Sequence, residues 1–453
     1  MVRIEDMRGF IRELERRGRL VRVKRPVSTK FELAAVLKKV QDTTGQAVLF
    51  ERMDDKSACV GNLYGGRDKL GVLLGVREEG VTERFMELSS RRPLPPVSVK
   101  KKSPSQERVH RRFQNISEIV PVPYHYARDA APFLTAAMVA CQDPETKKYN
   151  LSINRMQLRP GRRLGIQLVI NMDIWNIQRR CEEKGRELPV AILVGPDPYT
   201  YLAACTRVPP EMDEYEFAGA LKGEPVELID CLSIPLKVPA TAEVVLEGVI
   251  PPGVREPEGP MGEVLQYYGA VSDKHVVDVK LITTRNRPIF QTILSGSIEE
   301  HTLIGIPMEA ELLPMLRRVS PLVKGINLLP FFLNCFISVG DIPDTQRGLA
   351  KNIILAALSH PWLKCVIVVN DDVDIYNPAD VFWALATRVN FDKDIVLVKD
   401  THGFPLDEMK ADRKDTITRI GIDATVEPYH RSRFERRDVV GYDKIDLKGY
   451  LGA

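Results

Sequence analysis

Many common signatures of enzyme function are missing from this sequence of 453 residues. It contains no G-x-G-x-x-G segment behind a strand pattern and no G-x-x-x-x-G-K-[ST] segment, so neither a dinucleotide-binding fold nor a P-loop is indicated. It also lacks a G-x-S-x-G motif. Its seven histidines never stand three or four residues apart, which removes the helical zinc motifs. The hydrolase and zinc-enzyme classes therefore have little support.

Charge, cysteine and apolar runs exclude further classes. The 64 basic and 61 acidic residues leave a formal net charge of +3, which demands neither nucleic acid nor an anionic membrane as a partner. The seven cysteines are scattered and contain no C-x-x-C pair, as expected for reduced thiols in a cytoplasmic protein. The most apolar run, residues 326–339, is too short to span a bilayer, and the charged N-terminal segment predicts no secretory signal.

Length and pattern predict three domains, at residues 1–110, 111–300 and 301–453. Helix and strand patterns alternate in the first, which predicts an α/β domain. Many short apolar runs separated by turns fill the second and predict a barrel or a curved sheet. The fold class expected for the whole chain is thus a multidomain α/β (α+β) protein.

The third region carries a strand–helix–strand pattern. Cys365–Val369 is a buried-strand run, Pro378–Thr387 has the pattern of a helix with proline at its start, and Asp394–Val398 predicts another strand. The three aspartates of the intervening NDDVD segment have oxygen ligands that suit a hard cation. Their place between a strand and a helix favours a capping role instead.

One loop concentrates carboxylates on an unusual backbone. The segment Arg255–Tyr268, REPEGPMGEVLQYY, places Glu256, Glu258 and Glu263 among two prolines and two glycines, a pattern that predicts neither a helix nor a regular strand. A close carboxylate pair suits general acid/base chemistry, because like charges raise one pKa and keep a proton available near neutrality. A solvated acidic turn is the alternative, and the local pattern does not choose among the three glutamates.

A second polar stretch, NLSINR, lies about a hundred residues before this loop in the chain. If it is a strand, Asn150, Ser152 and Asn154 share one face, and Arg155 points the other way unless a bulge intervenes. Polar strand faces in barrels often line a ligand cavity, although an exposed face fits the same pattern.

Six stretches together resemble the UbiD family of prenylated-FMN-dependent decarboxylases. They are NLSINR, EYEFAGALKG, VPATAEVVLEG, PEGPMGE, NDDVDIYNPADVFWALATR and RIGIDAT, in this order. The similarity extends from the first helix pattern to about Ala424. It implies an N-terminal α/β domain, a central flavin-reductase-like split β-barrel that binds prenylated FMN, and a C-terminal α/β domain.

The resemblance also implies cofactors and their ligands. In this family an Asn, a His and a Glu hold a divalent metal, usually manganese, against the flavin phosphate, with potassium close by. The Asn corresponds to Asn150 and the Glu to Glu214. The His has no counterpart, because either Asp173 or Asn171 takes its place according to the alignment chosen. Asp173 is the better candidate, since a carboxylate binds a hard divalent cation more strongly than an amide does.

The family's catalytic residues correspond to Arg155, Glu258 and Glu263. Arg155 would pair with Glu258 and orient the substrate carboxylate, while Glu263 would protonate the carbon after carbon dioxide leaves. Glu256 becomes a bystander. The family's phosphate-binding lysine corresponds to Arg419, and His301 falls in a region expected near the substrate, where a surface or capping role is the alternative. The implied cofactor-binding residues are Asn150, Ser152, Ile153, Asn154, Arg155, Met172, Asp173, Thr206, Glu214 and Arg419.

The expected reaction is the reversible non-oxidative decarboxylation of an aromatic, heteroaromatic or α,β-unsaturated acid, with the prenylated flavin as electron sink. A phosphorylated isoprenoid precursor acid is a further candidate substrate. The resemblance also implies a flavin prenyltransferase as cofactor supplier and a homodimer or larger assembly. A flavin reductase and a non-catalytic flavin-binding paralogue are the alternatives. The presence of the family's two glutamates and its arginine in this sequence argues against the non-catalytic paralogue.

Overall fold

The computed structural model describes residues 3–54, 57–100, 103–209, 212–409, 416–437 and 439–451. The chain divides into two compact units. The larger comprises Met1–Leu312, Leu328–Phe332 and Pro405–Glu408, and the smaller comprises Leu313–Asn327, Leu333–Phe404 and Met409–Ala453. Both contain helices and strands, so the predicted mixed α/β fold is confirmed.

Helices and strands alternate irregularly in the larger unit. Its helices are α1 Met7–Arg16, α2 Glu32–Thr43, α3 Arg67–Leu74, α4 Val81–Ser89, α5 Asp173–Glu183, α6 Pro198–Ala204 and α7 Glu214–Lys222, and α8 Ile298–Val319 begins in it. Its strands are β1 Leu20–Val23, β2 Ala47–Met53, β3 Ser57–Gly61, β4 Val97–Ser98, β5 Arg108–His110, β6 Phe133–Leu134, β7 Met138–Gln142, β8 Tyr149–Ile153, β9 Met156–Leu158, β10 Arg163–Ile166, β11 Leu188–Val194, β12 Glu227–Asp230, β13 Lys237–Pro239, β14 Val244–Ile250, β15 Arg255–Glu258, β16 Met261–Gly262, β17 Tyr268–Gly269, β18 Ser272–Thr284 and β19 Ile289–Gln291.

The largest sheet of this unit has ten strands. Its main hydrogen-bonded order is β6-β9-β10-β18-β14-β11-β7-β8, and β5 and β15 also pair with β18. Strand β11 is buried on both faces, since Ala191 and Leu193 pack into one core cluster and Val190 and Ile192 into another. This explains its continuous apolar sequence. In the described residues the two end strands of this order do not pair with each other, so no closed barrel is found there, and the predicted split barrel stays a prediction.

The strand considered for NLSINR is present as β8, Tyr149–Ile153, and Asn154 and Arg155 lie beyond its end. One local prediction about the acidic loop is wrong. Arg255–Glu258 forms a regular strand, β15, antiparallel to β18. Pro257 is tolerated because β15 lies beside β18 alone, so the missing N–H removes no bond to a second neighbour. After Glu258 the chain turns into the two-residue strand β16, which pairs with β17.

The smaller unit contains a five-stranded sheet in the order β20-β21-β22-β24-β23. Its strands are β20 Val323–Asn327, β21 Asn334–Val339, β22 Cys365–Asn370, β23 Ile395–His402 and β24 Thr416–Ala424, and its further helices are α9 Leu349–Leu358, α10 Pro378–Arg388 and α11 Lys448–Leu451. The predicted strand–helix–strand pattern is present as β22, α10 and β23. In the NDDVD segment, Asp372 pairs with Arg388 and Asp374 accepts the amide of Tyr376, as expected for structural roles.

Two general properties bear on the sequence predictions. All seven cysteines are free thiols. No helix in the described ranges is both long and apolar enough to cross a membrane.

Candidate active site

The guanidinium of Arg155 lies between two glutamates. Its Nε and Nη2 donate hydrogen bonds to Oε1 of Glu258 at 3.2 and 3.0 Å, and its Nη1 forms an ion pair with Oε1 of Glu263. Glu258 is fully buried and Glu263 is 9% exposed. Two carboxylates that contact the same buried guanidinium repel each other, which favours a proton on one of them. The arrangement can therefore store a proton beside a planar donor group.

Three separate parts of the larger unit bring these side chains together. Arg155 stands between β8 and β9, Glu258 ends β15, and Glu263 follows β16 directly. Gly269, which pairs with Met261 in the hairpin, allows the approach, because a Cβ there would lie 2.6 Å from Oε1 of Glu263. The carboxyl group of Glu263 thus lies directly against the backbone of Gly269, and a side chain at that position would displace it.

Glu258 keeps one oxygen without a partner. Its Oε2 is buried and receives no hydrogen bond from the residues that the structure describes. A buried carboxylate oxygen without a donor is costly, so this atom is a candidate contact for a bound molecule. By contrast, the Glu256 side chain is 28% exposed and pairs with Arg159 and Arg163, both at 2.9 Å.

Lys274 adds a second positive charge near this group. Burial and the charge of Arg155 lower its pKa, while the charge of Glu258 acts in the opposite sense. These effects mean that the ammonium group lies within electrostatic range of both residues. On the sheet, Lys274 is opposite Glu256.

A second polar centre lies at Asn150 and Glu214. The Asn150 amide donates from Nδ2 to Oε1 of Glu214 at 2.9 Å, and both residues are buried. Burial raises the pKa of Glu214 to about 8, and the negative charge of Asp173 adds to the increase. Asp173 is the first residue of α5 and lies close enough to act on this carboxyl group. Oδ1 of Asn150 is buried and has no partner among the described residues.

These atoms fit a hard divalent cation. Two carboxylates and an amide oxygen are the ligand types that magnesium, calcium and manganese accept. Within the described ranges no three His, Cys, Asp or Glu side chains form a metal-binding group, so the set depends on the free amide oxygen of Asn150. Asn171, the other candidate for the missing His, has a left-handed backbone with φ of 67° just before α5.

The other predicted cofactor residues have protein partners. Ser152 donates to Oδ1 of Asn154 at 2.7 Å, and Asn154 donates to the carbonyl of Gln167 at 2.9 Å. Thr206 donates to the carbonyl of Leu202 at 2.8 Å. Ile153 is half-buried on β8, and Met172 is 38% exposed before α5. Ser152 and Asn154 thus order the strand end that leads to Arg155, and their contact with a cofactor stays a prediction.

Arg419 lies on β24 in the smaller unit and is buried. Its Nη1 donates to the carbonyls of Leu358 and His360, the latter at 3.0 Å. Its Nη2 donates to the carbonyls of Pro361, at 3.0 Å, and His402. The guanidinium therefore joins the end of α9 and the residues after it to the end of β23, and its predicted contact with the flavin phosphate stays a prediction.

His301 is 2% exposed and faces two backbone carbonyls. Its Nε2 lies 2.9 Å from the oxygen of Val264, and its Nδ1 contacts the oxygen of Pro330. Val264 follows Glu263, so the imidazole supports the chain beside the acid. The structure gives this histidine a bracing contact, and its predicted approach to the substrate stays a prediction.

Comparison with known proteins identifies the family. Sequence profiles of the 3-octaprenyl-4-hydroxybenzoate carboxy-lyase family, UbiD, match its N-terminal domain to residues 11–89, its Rift-related domain to 97–298 and its C-terminal domain to 301–424. The chain belongs to the UbiD family. The predicted resemblance is thereby confirmed.

Similar proteins place this UbiD-family chain among decarboxylases. A relative named anhydromevalonate phosphate decarboxylase, from Methanosarcina mazei, is 35% identical over 430 residues, which are 95% of this chain and 98% of that protein. The UbiD-class enzyme HmfF from Pelotomaculum thermopropionicum, solved with FMN, is 36% identical with a TM-score of 0.92 over 99% of this chain and 100% of its own. An evolved dimeric form of HmfF, solved with prFMN, is 34% identical with a TM-score of 0.88 over 98% and 100%. The protein is a carboxy-lyase of the UbiD type.

Proposed function

We propose that this protein removes the carboxyl group of an unsaturated or aromatic acid with prenylated FMN as its cofactor. The observation that carries the proposal is the Arg155 guanidinium held between Glu258 and Glu263, with one oxygen of Glu258 left free. The FMN and prFMN complexes of HmfF support the choice of cofactor. Bound prenylated FMN supplies the electron sink that takes up the electron pair of the broken carbon–carboxyl bond.

The chain's own residues bind the acid and move the proton. Arg155 offers a planar set of donors to the substrate carboxylate, and Glu258 holds that donor group in orientation. A substrate carboxylate on Arg155 competes with Glu263 for the same guanidinium. Once released, the Glu263 carboxylate takes up a proton from solvent and gives it to the carbon that carbon dioxide has left.

A divalent cation, manganese or a similar hard ion, would be held by Asn150, Asp173 and Glu214. The free Oδ1 of Asn150 and the raised pKa of Glu214 fit a site that needs a positive charge. The bound cation would fix the negatively charged phosphate of the cofactor. Potassium, also expected from the family, is a further prediction for the same region.

The name of the Methanosarcina mazei relative makes anhydromevalonate phosphate the first substrate to test. A phosphorylated acid brings a second anionic group that needs a cation. Lys274 is available, because its ammonium group has no ion pair or hydrogen bond in the described part of the chain and lies within range of Arg155. We expect Lys274→Met to raise KM for the phosphorylated acid and to leave KM for benzoate-type or acrylate-type acids unchanged.

One experiment tests the proposal directly. The protein is produced together with a flavin prenyltransferase, its flavin is identified by mass spectrometry, and the holo-protein is screened against phosphorylated, acrylic, aromatic and heteroaromatic acids. We expect prenylated FMN and release of carbon dioxide from at least one class. Unmodified FMN with oxidation of NAD(P)H and no carbon dioxide would instead identify a flavin reductase. Protein that binds prenylated FMN and turns over none of the classes would contradict the proposal.

A further inference from the structure

A short segment outside the Glu–Arg–Glu group holds the hairpin that carries Glu263. The segment Tyr126–Ala130 lies before β6, and no sequence pattern marked it as functional. Its Ala130 amide donates to the carbonyl of Pro260 at 2.8 Å, and its Arg128 amide donates to the hydroxyl of Tyr268 at 3.3 Å. The residue before β16 and the side chain of Tyr268 in β17 are therefore both held by the same segment.

Asp129 makes the contact nearest to the acid. Its Oδ1 accepts the amide of Gly262 at 2.9 Å, and its Oδ2 accepts the amide of Tyr126 at 2.9 Å. Gly262 immediately precedes Glu263. The two oxygens of the Asp129 carboxylate thus bind two different parts of the chain, at Gly262 and at Tyr126. Hydrogen bonds to a charged acceptor are about twice as strong as those between neutral groups.

Close packing around Gly262 restricts movement of the backbone at this residue. A Cβ at Gly262 would lie 2.5 Å from the ring of Tyr126, so ring and backbone are in close contact. The hydroxyl of Tyr126 donates to the carbonyl of Ser295. On the other side of the turn, the backbone carbonyl of Glu263 accepts the amide of Gln266 at 2.8 Å. The backbone amide of Glu263 donates to the carbonyl of Tyr267, also at 2.8 Å.

We propose that Asp129 is a positioning residue, which sets the place of the Glu263 carboxyl group by holding the Gly262 amide against the Tyr126–Ala130 segment. This inference rests on the proposed role of Glu263 as proton donor. A shift of about 1 Å in a reacting group can cost on the order of 100-fold in rate. Asp129 itself touches neither Arg155 nor the glutamates in the described contacts, so its effect must pass through the backbone of the hairpin.

Asp129→Asn tests the inference. An amide has a single acceptor oxygen, so one of the two backbone amides loses its partner. We expect kcat to fall by about 10- to 100-fold, with KM and prenylated-FMN occupancy unchanged and with a larger solvent deuterium isotope effect, because protonation becomes slower. Hydrogen exchange of residues 259–269 should become faster. Glu118→Gln is the matched control, since Glu118 also accepts two backbone amides, those of Gln114 and Asn115, far from the hairpin in sequence.

The outcomes separate the inference from the proposed function. If Glu263→Gln retains full turnover, the proposed acid is wrong. If Glu263→Gln is inactive while Asp129→Asn keeps the wild-type kcat and isotope effect, the positioning role alone is wrong. Asp129→Glu keeps both oxygens but moves them by one methylene, and it replaces the Asn variant if that variant does not fold. An intermediate kcat in Asp129→Glu would support the inference, whereas a wild-type kcat, or loss of the fold in both variants, would overturn it.

Discussion

Two buried arginine–glutamate groups in the larger unit differ in how completely they are satisfied. Arg67 donates from Nη2 to both oxygens of Glu309 at 2.5 Å, and Glu309 also accepts from Thr82 and from the Leu328 amide. Both oxygens of Glu309 are thus fully used. In the Arg155 group one guanidinium contacts two carboxylates, and Oε2 of Glu258 has no donor among the residues that the structure describes.

This difference distinguishes a buried ion pair with a structural role from a group that can bind a ligand. The Arg67–Glu309 group joins α3 to α8 with one cation and one anion, and both carboxylate oxygens of Glu309 have donors. Such a group gains nothing from a ligand. In the Arg155 group two carboxylates contact the same guanidinium, and Oε2 of Glu258 has no donor among the described residues, so a bound acid and a proton can both stabilise it. We therefore assign stability to the first group and chemistry to the second.

Arg155→Lys should give the largest effect on activity. Lysine keeps the positive charge but loses the planar fork that contacts both glutamates and would orient the substrate carboxylate. We expect turnover to fall by about 100-fold or more, with the melting temperature within a few degrees of wild type. Steady-state kinetics of the holo-protein and thermal unfolding measure the two quantities. A variant with wild-type turnover would remove Arg155 from the active site.

Arg67→Met should reverse this pattern. Removal of one partner from a buried ion pair leaves an uncompensated carboxylate and costs about 3–5 kcal/mol of the free energy of unfolding. Activity per folded molecule should be unchanged. Arg22→Met is the matched control, because Arg22 pairs with Glu15 in a largely exposed setting and should contribute about 1 kcal/mol or less. Equal stability losses in the two variants, measured by denaturant unfolding, would contradict the contrast.

Glu299 offers a pH test at the start of α8. It accepts the amides of Asn62 and Tyr64, and burial raises its pKa from 4.5 to about 7. The folded protein therefore keeps a proton that the unfolded chain has released. The stabilising contribution of this group is complete below about pH 4.5 and is lost as the pH rises through about 7.

The corresponding measurement compares wild type with Glu299→Gln by denaturant unfolding. The free energy of unfolding of the wild type, relative to the variant, should decrease by on the order of 3 kcal/mol between pH 4.5 and pH 7.5. A constant difference over this range would show that Glu299 does not titrate with a raised pKa. Turnover should be similar in the two proteins at neutral pH, because Glu299 lies in neither arginine group.

Glu256→Gln should give the smallest effect. Glu256 stands two residues before Glu258 but pairs with the half-exposed Arg163 and with Arg159 instead of Arg155. Loss of such pairs costs about 0–1 kcal/mol, and we expect turnover within about twofold of wild type. A large loss of turnover, measured in parallel with Glu263→Gln, would mean that the choice among the three glutamates is wrong.

Local sequence patterns predicted only part of the arrangement of the candidate active site. Alternation was compatible with a strand at β8, and proline and glycine marked the acidic loop, but only the family resemblance selected Arg155, Glu258 and Glu263. The strand Arg255–Glu258 was missed because its proline is compatible with a strand that has a single neighbour. Register with β18 is a long-range property that no window of local sequence contains.

The contacts that support the Glu263 hairpin could not be predicted from the sequence, because they too depend on long-range packing. Asp129 and Gly262 are separated by 133 residues, and neither stands in a recognisable pattern. For His301 the expected place near the substrate stays a prediction, and the structure adds contacts of its ring nitrogens with the carbonyls of Val264 and Pro330 that no local pattern indicated. The chemistry of a side chain is visible in a sequence, but the partner that uses it depends on tertiary packing.

The most direct test of the account is deuterium incorporation at the carbon that bears the carboxylate. The holo-protein, loaded with prenylated FMN, is incubated in deuterium oxide with its best substrate or with the decarboxylated product, and the carbon is followed by NMR. We predict incorporation with the wild type and Glu256→Gln, and loss of about 100-fold or more with Glu263→Gln at unchanged cofactor occupancy. Incorporation at the wild-type rate in Glu263→Gln would contradict the assignment of Glu263 as the proton donor.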